Sequence, residues 1–179
     1  LDWLWDELLD PEMKLIGNAV HIDDGFKDMS KFAYNNGIPM YAYAVLYSVT
    51  NDPEHLERAE TLSEGAVEYY VDPVTGAIEE RSYFAFTLVE GWLELFKATG
   101  NTDYLDLVRD ALQFVRDHRD PNGRFPHWWS DEPTGALSEY LLLHTAPAAR
   151  SFWRAAEIGG TPLPLQRFID ESDITVEAS

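Results

Sequence analysis

Cysteine is absent from the 179 residues, which removes both a disulfide framework and a thiolate metal site. Basic residues are scarce: 13 lysines and arginines stand against 32 aspartates and glutamates, a net charge of −19. Such a surface repels phosphate backbones and anionic lipid heads, so neither nucleic acid nor a membrane is expected as a partner. No apolar run approaches the roughly 20 residues of a membrane span, and the opening residues have no charged n-region and apolar h-region of a signal peptide. His21, His55, His118, His127 and His144 fall at no i, i+3 or i, i+4 spacing, so no metal is expected. Serine-hydrolase elbows and phosphate-cradling glycine loops are also missing, and no cofactor is expected.

What is present suits one globular core. Hydrophobic residues make up 45% of the chain, and the acids are spread rather than gathered in a tail, as on a solvated acidic surface or in a protein from a high-salt source. The opening "LDWLWDELL" already has helical spacing at Leu1, Leu4, Trp5 and Leu8, so the chain is expected to begin inside a helix with residues preceding it. Asp10-Pro11 ends that pattern, and a polar loop through Asp23-Asp24-Gly25 follows. From Ile38 to Tyr47 nearly every residue is apolar, which demands cover on both sides and predicts an inner helix.

Glu54 to Tyr70 carries Leu56, Ala59, Leu62, Ala66, Val67 and Tyr70 on one stripe, which predicts an outer helix. Tyr83 to Ala98 reads as a second inner helix. Asp103 to His118, with Tyr104, Val108, Ala111 and Val115 on its stripe, reads as a second outer one. A third inner segment is expected from near Leu137, interrupted by Pro147, and the residues from 159 to 179 are expected as a surface tail. "LYSVTNDPEHLERA" (46–59) and "LFKATGNTDYLDLV" (95–108) form a repeat, and Asp-Pro recurs at 10, 72 and 120 as the expected close of each outer helix. Repeated helical hairpins with nearly all-apolar inner helices predict an all-α, two-layer α/α toroid. Three inner helices make about half of a six-hairpin ring.

The ordered features "W…LLDPEMKLI", the aspartate-glycine loop, "YNNG", "LY…TND" with its repeat "LFKATGN", and "APAARSFWRAAE" resemble glycoside hydrolase family 76 from Leu1 to about Ile158. The resemblance implies the C-terminal half (1–158) of an endo-α-1,6-mannanase-like domain, retaining hydrolysis, and a polysaccharide or oligosaccharide partner; the compartment stays open, with an extracellular or cell-surface setting favoured. Three inner helices cannot close a ring and leave apolar flanks in need of cover, so the N-terminal half or a second copy of the chain is expected as a partner. Phe84-Ala85-Phe86 and Glu90 depart from the family's phenylalanine-lysine-glycine start and later arginine. No position matches the family's adjacent catalytic aspartates, so no catalytic residue is assigned. A non-catalytic carbohydrate-binding module and another toroid sugar enzyme, an epimerase or unsaturated uronyl hydrolase, are the alternative readings.

In such rings the N-terminal ends of the inner helices border the sugar cleft, which makes Tyr34, Asn35 and Asn36 candidates: asparagine offers donor and acceptor to hydroxyl pairs, and tyrosine a face and a hydroxyl. The plainer reading is helix capping by Asn35 or Asn36, with Gly37 allowing a close helix approach. Asp23 and Asp24 form the only adjacent aspartate pair and stand as rim carboxylates or as ordinary Asp-Gly turn chemistry. Glu80, in Glu79-Glu80-Arg81, is a rim carboxylate or part of a solvated run compensated by Arg81. Trp128 and Trp129, in "RFPHWWSDE", are a stacking floor for sugar rings or a plug for the core.

Overall fold

The computed structural model describes residues 1–130 and 142–159. Six helices are found there: α1 (Asp2–Leu8), α2 (Ala33–Thr50), α3 (Pro53–Tyr70), α4 (Ser82–Thr99), α5 (Asp103–Asp117) and α6 (Leu142–Gly159). Three antiparallel ribbons join them: β1 (Leu9–Asp10) with β2 (Leu15–Ile16), β3 (Ala19–Val20) with β4 (Lys27–Asp28), and β5 (Ile78–Arg81) with β6 (Trp128–Trp129). The expected start near Leu137 and the tail from 160 onward lie outside the described residues; Gly159 still belongs to α6.

Three links between helices repeat one turn. The Oδ1 atoms of Asp10, Asp72 and Asp120 each accept two backbone N–H groups from the residues that follow: Glu12 and Met13, Val74 and Thr75, Asn122 and Arg124. Asp-Pro therefore does not end the outer helices, which stop two or three residues earlier; it shapes the turn that sends the chain back toward an inner helix. The 46–59 and 95–108 repeat extends to its hydrogen bonds. Thr50 and Thr99 donate to the carbonyls of Leu46 and Leu95 at 2.8 and 2.7 Å. Asn51 and Gly100 then take left-handed conformations at φ 56° and 73° to end α2 and α4. Asp52 and Asn101 accept the amides of Glu54 and Asp103.

Helices α2, α4 and α6 form the inner layer and run parallel. Tyr34 meets Phe84 near the starts of α2 and α4, with ring centroids 4.7 Å apart, and Arg150 of α6 reaches Glu90 of α4 at the same depth, at 2.7 Å. A Cβ on Gly37 would lie 2.4 Å from the Thr87 carbonyl carbon, so the close approach at Gly37 is a contact between two backbones. Pro147 does not interrupt α6: the helix runs through it, as α2 runs through Pro39. Proline there costs one hydrogen bond early in each helix, which packing of the inner layer offsets.

Outer helices α3 and α5 pack their stripes inward, burying Ala59, Leu62, Ala66 and Tyr70 from one and Val108, Ala111, Leu112 and Val115 from the other. Trp92 of α4 is fully buried and donates its indole N–H to Ser63 of α3 at 3.0 Å. Each large side chain so buried contributes about 1.5–3 kcal/mol. Cover on α2 is not symmetric: Met40, Tyr43 and Ala44 are sealed, whereas Ile38 is 56% exposed and Tyr41 also meets solvent.

Candidate functional site

The start of α2 gathers two of the polar groups singled out in the sequence, Tyr34 and Asn35. Asn18, just before β3, is the hub: its Oδ1 accepts the Tyr34 hydroxyl at 3.2 Å and the Asn35 amide at 3.4 Å, and its own amide donates to Asp28 at 2.8 Å. Asn18 and the Ser30 hydroxyl and amide together hold the Asp28 carboxyl down at about 2, so it is an anion at any ordinary pH. No periodic signal in the sequence marks Asn18 or Asp28. Only the pairing of β3 with β4 carries them to the mouth of α2.

Asn36 is not part of this mouth. It is fully buried, with Oδ1 accepting the Ile16 amide at 2.7 Å and Nδ2 donating to the Phe32 carbonyl at 3.1 Å. Neither asparagine caps α2 through its side chain, since the N-cap is Phe32 without a side-chain bond. Both therefore depart from the capping expectation: Asn36 ties the β1–β2 ribbon to the helix, and Asn35 turns to Asn18.

Asp23 and Asp24 lie at the exposed tip of the β3–β4 hairpin, not in an irregular loop, with Gly25 at φ 70° and Asp24 accepting the Phe26 amide at 3.0 Å. That is turn chemistry. The same tip exposes Ile22 and Phe26. Glu80 leaves the rim altogether: it is 7% exposed and accepts the Arg81 amide at 2.8 Å. Burial, then the nearby Glu80 charge, raises the Tyr70 phenol well above its ordinary value.

The two tryptophans separate. Trp129 is fully buried in the core and offers no face to a ligand. Trp128 is half-buried beneath the Arg81 guanidinium, 5.2 Å from its ring centroid, and Asp131 and Glu132 lie outside the described residues. An aromatic path unmarked in the sequence reading crosses this end of the layer. Tyr34 packs on Phe84, Phe84 on Tyr83 at 4.6 Å, Tyr83 stacks on His127 at 5.7 Å, and His127 on His144 at 4.1 Å. Burial, then His144 and Arg81, lower the His127 pKa, favouring a neutral ring. Farther along the inner face, a 190 Å³ cavity lies among Ile38, Tyr41, Phe86, Glu90 and Arg150. The Glu90 carboxylate there is tied to Arg150 at 2.7 Å and Arg154 at 3.5 Å. No group of three or more potential metal ligands occurs among the described residues.

Parallel inner helices backed by antiparallel outer ones, with polar and aromatic side chains at the inner N-terminal ends, define an α/α-toroid protein present as roughly half a ring. Residues 1–85 match the family model described as glycosyl hydrolase family 76. A family 76 α-mannanase of Bacteroides thetaiotaomicron, solved as a selenomethionine derivative, is 29% identical with a TM-score of 0.82, over 89% of this chain and 44% of that one. The α-1,6-mannanase of Salegentibacter sp. HEL1_6 superposes with a TM-score of 0.72 at 20% identity, over 87% of this chain and 49% of that one. An inactive variant of that mannanase, with two aspartates replaced by asparagine, was solved with α-1,6-mannotriose; it gives 0.67 at 23% identity, over 86% and 48%. These two likenesses show the fold. No curated protein matches the chain. The family 76 match thus covers a little under half of this chain, which spans less than half the length of each of these solved structures.

Proposed function

We propose that this chain is the glycan-holding, C-terminal half of an α-mannan hydrolase domain. The observation that carries this reading is the convergence of Tyr34, Asn35, Asn18 and Asp28 in one bonded network beside the Phe84 ring. Amides and a carboxylate suit paired sugar hydroxyls, and the tyrosine and phenylalanine rings suit the C–H faces of a hexose. Asp23 and Asp24 extend the rim; Asn36, Glu80 and Trp129 support it from inside. Retaining hydrolysis needs two carboxyl groups about 5–5.5 Å apart across the scissile bond, and in this reading the rest of the domain supplies them.

Titration calorimetry with α-1,6-mannotriose tests the reading. Tyr34→Ala and Asn35→Ala are each expected to weaken binding about tenfold, the worth of one good hydrogen bond or stacked face. The isolated chain is expected not to hydrolyse the sugar. Failure to bind at all, or hydrolysis abolished by Asp23→Asn or Asp24→Asn, refutes it. The inner face at Ile38 and Tyr41, and Trp153 of α6 at 70% exposure, take their cover from the other half of the ring. Light scattering on the purified chain checks this: a cooperatively melting monomer counts against it, and a two-fold dimer replaces the other half with a second copy.

A further inference from the structure

Cations are few in this chain and most are spent on carboxylates within 4 Å: Lys14 on Glu64, Lys27 on Glu7, Lys31 on Asp10, Arg58 on Asp2, Arg150 on Glu90. Arg81 is different. Among the described residues no carboxylate lies within that distance of its guanidinium, which rests instead over the Trp128 indole. Its neighbour Glu80 bonds the Arg81 backbone amide and is buried, so it does not compensate the side chain as the sequence suggested.

Other donor groups lie close to Arg81. Arg81 is the N-cap of α4, an 18-residue helix whose positive end adds to the guanidinium. Next to it, both ring nitrogens of His127 and the Nδ1 of His144 are buried without a hydrogen-bond partner, and His144 is only 6% exposed. A neutral imidazole still carries one N–H donor. In a protein of net charge −19, a guanidinium resting over an indole with no carboxylate within 4 Å among the described residues is an unusual commitment. Its planar fork matches the oxygens of a carboxylate or phosphate. A neutral hexose hydroxyl can accept a hydrogen bond from it but cannot balance the charge.

We propose that Arg81 on its Trp128 platform binds an anionic substituent of the glycan, a phosphate ester or a uronate carboxylate, beside the neutral-sugar mouth at Tyr34. The proposal deepens the glycan-binding reading and rests on it. Phe84, Tyr83 and His127 link the two places through a chain of ring contacts from Tyr34 to Trp128, so one saccharide lying along that path reaches both.

Binding is measured at fixed ionic strength for α-1,6-mannotriose, the same trisaccharide carrying a 6-phosphate on its non-reducing end, a trigalacturonate, and inorganic phosphate. The 179-residue chain is compared with Arg81→Gln and Arg81→Lys, with circular dichroism confirming the fold of each. One anionic saccharide is expected to bind about tenfold more tightly than the neutral trisaccharide, the worth of a charge-assisted bidentate contact. The gap closes in Arg81→Gln and narrows in Arg81→Lys, whose ammonium lacks the fork. Which saccharide is preferred, the ester or the uronate, identifies the substituent. Binding of that saccharide is also expected to raise the His127 pKa seen by NMR, because the anion cancels the Arg81 field; a purely structural arginine would not move it. Equal affinity for neutral and charged saccharides, or a preference that survives Arg81→Gln, overturns the proposal and leaves the glycan reading standing. Inorganic phosphate binding as tightly as the phosphosugar overturns the glycan source of the anion. If no saccharide binds, both readings fall together.

Discussion

Gly37→Ala adds one methyl group where α2 and α4 touch. In the structure that carbon would sit 2.4 Å from the Thr87 carbonyl carbon, 2.5 Å from its oxygen and 2.6 Å from the Leu88 nitrogen. Ordinary carbon contacts lie near 3.5–4.0 Å, so the helices must part by about 1 Å, and backbone atoms have no rotamer through which to yield. Alanine gains about 1 kcal/mol of helix propensity over glycine. Against this stand overpacking costs of about 1–3 kcal/mol and dispersion lost along the seam, since a gap of 0.5–1 Å forfeits about a quarter to a half of each contact. The net expectation is a loss of about 2–3 kcal/mol, which for a chain of this size lowers Tm by about 4–12 °C. Gly91→Ala is the internal control. Its new carbon would meet chiefly the Met40 side chain, at 2.8 Å from Sδ, and a methionine can swing away. That variant is expected to stay within about 1 kcal/mol of the parent. Differential scanning calorimetry of the three proteins reads the contrast, and a Gly37→Ala protein melting as high as the parent refutes backbone contact between the inner helices.

Asn36→Ala strands the buried Ile16 amide and removes the tie between the β1–β2 ribbon and α2; a loss of about 2–4 kcal/mol is expected, read as a lower urea midpoint with an unchanged m-value. The Asp28 carboxyl is expected to titrate near 2 by NMR. Its pKa in the fold lies below the unfolded value near 3.9, so its contribution to stability is present above about pH 4 and is lost as pH falls toward 2; Asn18→Ala raises the midpoint. His127 also has a lowered folded pKa. The unfolded chain takes up its proton first as pH drops below about 6.5, so stability falls from there downward, and His127→Phe is expected to flatten that part of a Tm-against-pH profile.

Local chemistry carried much of the fold into the sequence. The apolar stripes of α3 and α5 are legible because a helix half in water must sort its residues every 3.6 positions. The duplicated Thr-turn links are legible because their bonds span two to four residues. Pro147 misled for the opposite reason: the local rule says break, and packing of α6 on α4 overrides it. Among the candidate site residues, Tyr34, Asn35 and Trp128 do reach one end of the inner layer. Asn36 and Trp129 look equally polar or aromatic in the sequence, yet they are drawn inside by Ile16 and Ile78 on other elements, while Glu80 is buried bonded to its neighbour's amide.

Composition alone determined the strongly acidic charge and the lack of any thiolate chemistry, and periodicity determined the all-α two-layer plan, since both depend on residue types and near neighbours. Only the tertiary structure decided that Asn18 and Asp28 join Tyr34, that Asp23 and Asp24 form a hairpin tip, and that the Arg81 guanidinium rests over Trp128. Hydrogen bonds and ion pairs act over a few ångströms whatever the separation along the chain, so which polar groups find partners is settled when the hairpins pack.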